Sequence, residues 1–312
     1  MVKLKSVKKT KALALFSGGL DSCLTIKLLQ EQGLDVEALY IKLPFAADCC
    51  TSIEGSFNFT QMQDVKLHIL DCSKGKLLKE YLNLIKNPKY GRGSGYNPCK
   101  DCKIFLFQQG KKIAKKIGAE IIATGEVIGQ RPMSQMKKSL MLDEEQAGLK
   151  HKILRPLSAK LLPKTIYEEK GLVDREKFLS IHGRSRKIQM KLAEKYKIKY
   201  PTPAGGCLLC EKFLKKRFEI LLKRGLDSKT SRLINVGRHF MIDKAWLILG
   251  RDHEENKILE NLKCGKVIEP DFPGPSVLVF GEIAKKQVLE LIKSYSKKGS
   301  LKDRETWDKY KI

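Results

Sequence analysis

The sequence predicts an α/β protein: a doubly wound parallel sheet followed by a smaller C-terminal α+β module. Three observations carry this reading. Apolar runs of strand length alternate with segments of helical spacing over the first half of the chain, and strands separated by helices form a parallel sheet covered on both faces. Past residue 228 the pattern changes to short strand candidates separated by turns such as EPDFPGP. The chain has 312 residues, enough for about two domains, and the boundary is placed between 1–225 and 226–312.

The first strand is read at 12–16, where an apolar run meets a glycine turn. The helix after it shows Leu24, Leu28 and Gln32 in one row with Ile26 and Leu29 beside it, and Gly33 is its stop. Further strands are expected at 36–41, 65–70 and 120–123. A glycine-rich loop at 91–98 leads to Cys99, and 104–117 has helical spacing. Residues 174–196 read as one polar helix and 200–206 as a loop. In the C-terminal module, strands are expected at 245–249 and 276–280, then a helix at 282–295 and a charged tail. Ligands of such parallel sheets bind beyond the carboxyl ends of the strands, and the motifs below fall there.

Charge narrows the partners. Lys and Arg total 61 against 35 Asp and Glu, a net +26. Such a surplus attracts polyanions, nucleic acid first and an anionic membrane surface second. The alternative is a lysine-rich surface without function. The charge is uneven: residues 183–199 hold seven basic residues and one acid, and 211–240 hold nine and three. Both stretches flank PAGGCLLC, which favours function. With 42% hydrophobic and 31% charged residues the chain is globular, not disordered. No apolar run approaches the ~18 residues of a membrane span, and the basic N-terminus is not followed by a signal-peptide pattern. A cytoplasmic protein with no membrane partner is expected.

Nine cysteines are present. In a long chain of this kind, Cys-x-x-Cys pairs read as metal, cluster or redox sites, not disulfides. Two such pairs occur, Cys99/Cys102 and Cys207/Cys210. Cys23, Cys72 and Cys264 sit among apolar residues and read as core. Cys49 and Cys50 receive no role.

Ser17-Gly18-Gly19-Leu20-Asp21-Ser22 joins the first strand to the first helix. Glycines let the backbone approach an anion, and a helix N-terminus points N–H groups at it. Ser17 and Ser22 add hydroxyls. Asp21 would repel phosphate unless a magnesium ion bridges the two. The pattern matches neither G-x-x-x-x-G-K-[ST] nor G-x-G-x-x-G. The plain alternative is Ser, Gly and Asp as turn and cap residues.

SGGLDS resembles the signature of the PP-loop ATP pyrophosphatases, of adenine nucleotide alpha hydrolase-like fold. The resemblance implies that ATP is split between its α- and β-phosphates, that AMP is placed on a substrate oxygen, and that residues 17–22 hold the pyrophosphate end. It leaves the acceptor open. Three further segments narrow it, in islands between residues 12 and 210. Asn97-Pro98-Cys99-x-x-Cys102 resembles the N-P-x-x-x-C segment of tRNA 2-thiouridylases. Thr124-Gly125-Glu126-Val127-Ile128-Gly129-Gln130, with Ser134-Gln135, resembles a segment of tRNA 4-thiouridine synthetases. Leu154-Arg155-Pro156-Leu157 is similar to the R-P-L that follows it there. Together these imply a tRNA uridine sulfurtransferase using ATP and magnesium, with nucleotide-binding residues Ser17, Gly18, Gly19, Asp21, Ser22 and Gly125.

The chemistry asks for such residues. A uridine carbonyl oxygen leaves poorly, and adenylation makes it part of AMP, which leaves readily. A sulfur nucleophile must then stand near the carbon. Cysteine can carry it as a persulfide, or cysteines can hold an iron–sulfur cluster that binds it. The persulfide enzymes commonly have Asp at the position of Cys99. Cys99, Cys102 and the distant Cys207 instead match the cluster-dependent enzymes of the superfamily, so a [4Fe-4S] cluster on these three is preferred. Cys210 keeps a closed four-thiolate zinc site open, and a site without metal is the third alternative. The catalytic residues are then Cys99, Cys102, Cys207 and Asp21, the first three also metal ligands. Glu126 and Gln130 are placed at the end of the fourth strand, with a helix cap as the alternative. Arg184 and Arg186 read equally as RNA contacts or a solvated helix face. His182 reads as structural or RNA-facing.

Gly250-Arg251-Asp252-x-x-Glu255-Asn256 followed by Asp271-Phe272-Pro273-Gly274-Pro275 resembles the NFACT-R domain, an RNA-binding module, though it lacks the aromatic-His pair before the Asp-x-Pro-Gly segment. A generic turn run is the alternative. The short stretch before the first strand leaves no room for the N-terminal RNA-binding domain usual in 4-thiouridine synthetases, and no rhodanese-like extension is expected. The expected partners are therefore tRNA, held by basic surface and the C-terminal module, and a sulfur donor protein or sulfide. Two rival functions remain: an ATP-dependent enzyme acting on a small molecule, and a non-catalytic RNA-binding protein with a degenerate loop.

Overall fold

A computed structural model of the chain describes residues 9–46, 53–132, 134–200, 206–297 and 299–312. Cys49, Cys50 and residues 203–205 lie outside these. The chain divides into two compact units, 1–93 with 97–208, and 94–96 with 209–312. Residues 209–225, read above with the first domain, count with the second unit.

The first unit is built on four parallel strands, β1 (Lys11–Leu15), β2 (Asp35–Lys42), β3 (Lys66–Asp71) and β4 (Ile121–Thr124), in the order β3-β2-β1-β4. Helices α1 (Leu20–Glu31), α2 (Ile53–Met62), α3 (Gly75–Lys86) and α4 (Cys99–Ile117) make the crossovers. After β4 come α5 (Lys137–Gln146), the single turn α6 (Ile166–Glu169) and α7 (Lys187–Lys195). All four expected strands are present within a residue of their read limits.

Residue alternation along β1 sets the layers. Ala12 and Ala14 face a cluster holding Leu20, Leu24 and Leu28 of α1 and Ala193 of α7. Leu13 faces the opposite cluster, with Leu39, Ile122, and Ile104, Phe107 and Ala114 of α4. Both faces are therefore covered, the doubly wound arrangement the sequence predicts. The crossovers run outward from β1 to β3 and then return to β4, so the order reverses between β1 and β4. That switch point opens a crevice beyond the carboxyl ends of both strands.

Two readings need correction. Residues 174–186 are not α-helical, and α7 begins only at Lys187. The preceding segment makes a single 3-10 turn at Arg175–Lys177 and is then tied elsewhere: Leu179 and Ile181 N–H groups bond to Pro156 and Leu157 carbonyls, and His182 bridges Ile128. Conversely α4 begins at Cys99, earlier than the apolar spacing from 104 suggests.

Behind the crevice lies a buried charge network. Arg155, 2% exposed, donates its Nε–H to Glu126 at 2.9 Å and pairs with Glu144 through its Nη1. Lys103 pairs with the other oxygen of Glu126. Burial opposes ionisation of Glu126, but Lys103 and Arg155 hold its carboxyl below the ordinary value. Asp143 on α5 is fully buried, and neither carboxylate oxygen has a hydrogen-bond partner among the described residues. Burial pushes its carboxyl up to about 7, against the pull of Lys103. A carboxyl raised on folding subtracts stability as pH rises from its unfolded value near 3.8 through 7. Asp143→Asn should therefore gain stability over wild type across that window, by ~2–4 kcal/mol at pH 8 and close to nothing at pH 3. Urea denaturation at the two pH values checks this.

The second unit carries α8 (Lys215–Arg224), an antiparallel sheet of β5 (Arg238–Ile242), β6 (Ala245–Leu249), β7 (Lys266–Ile268) and β8 (Val277–Phe280), and helices α9 (His253–Asn261), α10 (Lys285–Tyr295) and α11 (Leu301–Asp308). The sheet order is β5-β6-β8-β7. One face packs Phe240, Leu247 and Val277 on Val288, Leu291 and Ile292 of α10. The α+β module is as expected, with β5 and β7 added, and the charged tail is helix α11.

Candidate functional site

The loop of residues 17–22 begins where β1 stops. Phe16 N–H still bonds to the Leu39 carbonyl at 2.8 Å, and the chain then turns through Gly18 at φ +75°, a left-handed conformation that favours glycine. Gly19 is the N-cap of α1, extended and without a side-chain cap. Ser22 Oγ donates to the Gly19 carbonyl at 2.7 Å, and Ser17 Oγ lies 3.4 Å from both Ser22 Oγ and Gly19 N. Backbone donors and two hydroxyls thus line a helix start that no side chain blocks, an arrangement suited to phosphate oxygens.

Asp21 stands in the first turn. Its Oδ2 accepts from Gln130 Nε2 at 3.0 Å and lies 3.6 Å from the Arg186 guanidinium. Its Oδ1 is buried and accepts no hydrogen bond among the described residues. A carboxylate oxygen left with its lone pairs unused beside a phosphate cradle is a donor suited to magnesium.

The segment after β4 closes the other wall. A Cβ on residue 125 would fall 2.6 Å from the Asp21 carbonyl carbon and 2.7 Å from Ser22 N, so only glycine fits. Gly125→Ala should push the loop away from its place and slow ATP turnover on the order of tenfold to a hundredfold. A lowered thermal midpoint together with a raised KM for ATP is the expected signature, because the clash is with backbone. Gln130 reaches Asp21, while Glu126 turns into the charge network, so neither is a helix cap. Gly183 N–H bonds to the Ile128 carbonyl at 2.8 Å, which brings Arg186, the N-cap of α7, to Asp21. Arg186 is thus a neighbour of the loop, a placement the sequence reading missed. Arg184 and His182 are exposed.

The thiols come from two stretches. Cys99 and Cys102 occupy the first turn of α4, on one face at i and i+3. Asn97 Nδ2 donates to Cys99 Sγ at 2.9 Å. Cys207 pairs with Ala46 in an antiparallel bridge, and Leu208 N–H bonds to the Phe45 carbonyl at 2.9 Å. That pairing pins Cys207 just past the carboxyl end of β2. Tyr81 of α3 lies against the first stretch. It is fully buried, and its hydroxyl lies 3.5 Å from Cys102 Sγ. Its phenol is held well above the ordinary value by burial first and then by the charges of Cys102, Cys207 and Cys99.

The two halves are linked side by side. Lys103, next to Cys102, pairs with Glu126 and donates to the Ser134 carbonyl at 3.0 Å. Glu126 follows Gly125, which rests on Asp21. Among the described residues no group of three or more His, Cys, Asp or Glu side chains stands ready to hold a single metal ion. Cys210, exposed at the end of a short turn, counts with the second unit. Cys23 and Cys72 are buried, and burial pushes their thiols up to about 12 and about 11, which makes them poor nucleophiles. Cys264 is raised as well, by burial first.

In the second unit the Gly250–Asn256 motif is used internally. Asp252 caps α9 through Glu255 N–H at 2.9 Å, Glu255 binds Arg251 and Gly237 N–H, and Asn256 Oδ1 accepts from Ser276 N–H at 3.1 Å. These side chains fasten β6, α9 and the loop before β8 together.

An SGGLDS loop between strand and helix, at the switch point of a parallel sheet, defines a PP-loop nucleotide-binding protein. Residues 10–171 match the family described as the tRNA methyl transferase HUP domain, and the chain belongs to that family. Its relatives include the tRNA-specific 2-thiouridylase MnmA of Sulfurimonas denitrificans, 33% identical over 38% of this chain and 35% of the relative. The MnmA of Stutzerimonas stutzeri is 24% identical over 82% of this chain and 72% of the relative. Several matched relatives are thus spanned over only about a third of their length, as in the 35% above. A U34-tRNA thiolase NcsA from Methanococcus maripaludis with its [4Fe-4S] cluster is similar at 18% identity, TM-score 0.36, over 73% of this chain and 70% of that one. Among the described residues no helix is long and apolar enough to cross a membrane.

Proposed function

We propose that the protein is an ATP-dependent tRNA uridine sulfurtransferase. The observation that carries this reading is the glycine-rich loop at residues 17–22 between β1 and α1 of a parallel sheet, with Gly125 packed against Asp21 and with Cys99 and Cys102 in the first turn of α4. The family match and the names of the relatives, tRNA-specific 2-thiouridylases, support the substrate class.

The residues divide the work. Residues 17–19 and Ser22 bind the pyrophosphate end of ATP with backbone and hydroxyl donors. Asp21 would hold magnesium, which offsets the phosphate charge when bound. Gln130 and Arg186 orient the Asp21 carboxylate. The uridine carbonyl oxygen attacks the α-phosphorus, pyrophosphate leaves, and the base carries AMP. Sulfur then attacks the same carbon, and AMP leaves with the original oxygen. Cys99, Cys102 and Cys207 present the sulfur. Their donor set fits a [4Fe-4S] cluster in its chemistry: two thiols in the first turn of α4, each beside a polar side chain, and a third from the Cys207 bridge. When bound, such a cluster leaves one iron open to sulfide. Basic residues of 183–199 and of the second unit hold the tRNA.

Incubation of unmodified tRNA with the protein, ATP, magnesium and sulfide should give a thiolated uridine on nucleoside analysis. Turnover of ATP to AMP with no thiolated nucleoside would move the reading to a small-molecule acceptor. Binding of tRNA should also weaken steeply with salt. With about six phosphates contacted, the log–log slope is about −5, and a flat response would remove RNA as partner.

A further inference from the structure

The structure leaves one chemically costly group unused by the reaction above. The Tyr81 hydroxyl sits in a fully buried side chain, and buried tyrosine hydroxyls ordinarily find a strong hydrogen-bond partner. Among the described residues its hydrogen-bond neighbour is Cys102 Sγ, at 3.5 Å. A neutral thiol is a weak donor and a weak acceptor, so it repays little of that burial. A sulfur carrying negative charge is a far better acceptor. The neighbouring thiol has the same provision, since the Asn97 amide donates to Cys99 Sγ at 2.9 Å. Each sulfur of the Cys-x-x-Cys pair thus faces a polar side chain. Both also sit in the first turn of α4, where the helix dipole favours negative charge.

We infer that Tyr81 is a positioning residue of the thiol site, donating its hydroxyl hydrogen to the charged sulfur of Cys102 when that sulfur is a cluster ligand. The inference rests on the cluster reading proposed above. Hydrogen bonds to ligating sulfurs stabilise the reduced, more negative cluster and raise its potential. Outer-shell donors of this kind also orient their ligands and strengthen metal retention, commonly by ~10–100-fold. The ring of Tyr81 packs on Phe105 with centroids 5.6 Å apart. That contact is the structural role from which the hydroxyl's role must be separated.

The test reconstitutes the full chain anaerobically with ferrous iron and sulfide, as wild type, Tyr81→Phe and Phe105→Leu. Tyr81→Phe keeps the ring and removes only the hydroxyl. Phe105→Leu loosens the packing and keeps the hydroxyl. The expected result is a cluster in all three. Tyr81→Phe should show a more negative reduction potential and iron lost to a ferrous chelator roughly ten to a hundred times more readily, while Phe105→Leu stays close to wild type. Equal potential and retention in wild type and Tyr81→Phe would overturn the role of Tyr81 and leave the cluster standing. Equal losses in both variants would reduce Tyr81 to packing and overturn it too. A wild-type chain that takes up no iron and sulfide would overturn the cluster reading, and with it this inference.

Discussion

Asp21→Asn is expected to reduce tRNA-dependent formation of AMP and pyrophosphate on the order of a hundredfold to a thousandfold. The substitution is nearly isosteric. Its amide oxygen can still accept from Gln130, which now bonds to Oδ2 at 3.0 Å, so the loop should keep its shape. The negative charge is lost, and with it the buried carboxylate Oδ1 that no donor uses among the described residues. If Asp21 holds magnesium against the phosphates, the loss falls on the chemical step more than on nucleotide binding. Rapid-quench measurement of AMP, beside calorimetric titration with ATP, separates the two. A variant that loses ATP binding and turnover in equal proportion would make Asp21 a mere part of the turn.

Cys207→Ser is expected to abolish thiolated uridine, by ~1000-fold or more, while tRNA-dependent AMP formation persists. The reason is division of labour. On the proposed mechanism the loop activates the carbonyl oxygen without help from Cys207, which is held by its bridge to Ala46 past the end of β2. Serine fits that bridge, because the pairing is made by backbone. Cys99→Ser and Cys102→Ser should behave alike, and Cys210→Ser, whose side chain is exposed, should retain most activity. Nucleoside analysis of the treated tRNA reads all four. Equal loss in Cys210→Ser would favour a closed four-thiolate site over three ligands with an open position.

Much of this was legible in the residues. Strands β1, β2 and β4 announce themselves as apolar runs because both faces of the sheet are buried there, whereas the edge strand β3 is only partly covered. The loop at 17–22 is legible as the turn from β1 into α1, because Gly18 takes a left-handed conformation and Gly19 caps the helix. Gly125 is legible only through resemblance, and its physical reason, contact with the Asp21 backbone, needs coordinates. Other features are hidden for stated reasons. Residues 174–186 carry helix-like composition, but backbone partners at 128, 156 and 157 draw that chain into an extended path. Helix α11 hides behind its charge, although Ser300 and Asp303 form a capping box that marks its start. Tyr81 is hidden because nothing local reveals that its hydroxyl meets the Cys102 thiol of another helix. Lys103 and Arg155 look like surface cations until Glu126 and Glu144 are placed against them.

The most direct measurement follows one oxygen atom. Transfer RNA bearing 18O at the uridine carbonyl oxygens is incubated with the protein, ATP, magnesium and sulfide in water of natural abundance, and the AMP is analysed by mass spectrometry. Adenylation of the base followed by displacement with sulfur places the heavy oxygen on the phosphate of AMP, in step with the thiolated uridine formed. Unlabelled AMP, or ADP in its place, would contradict the account.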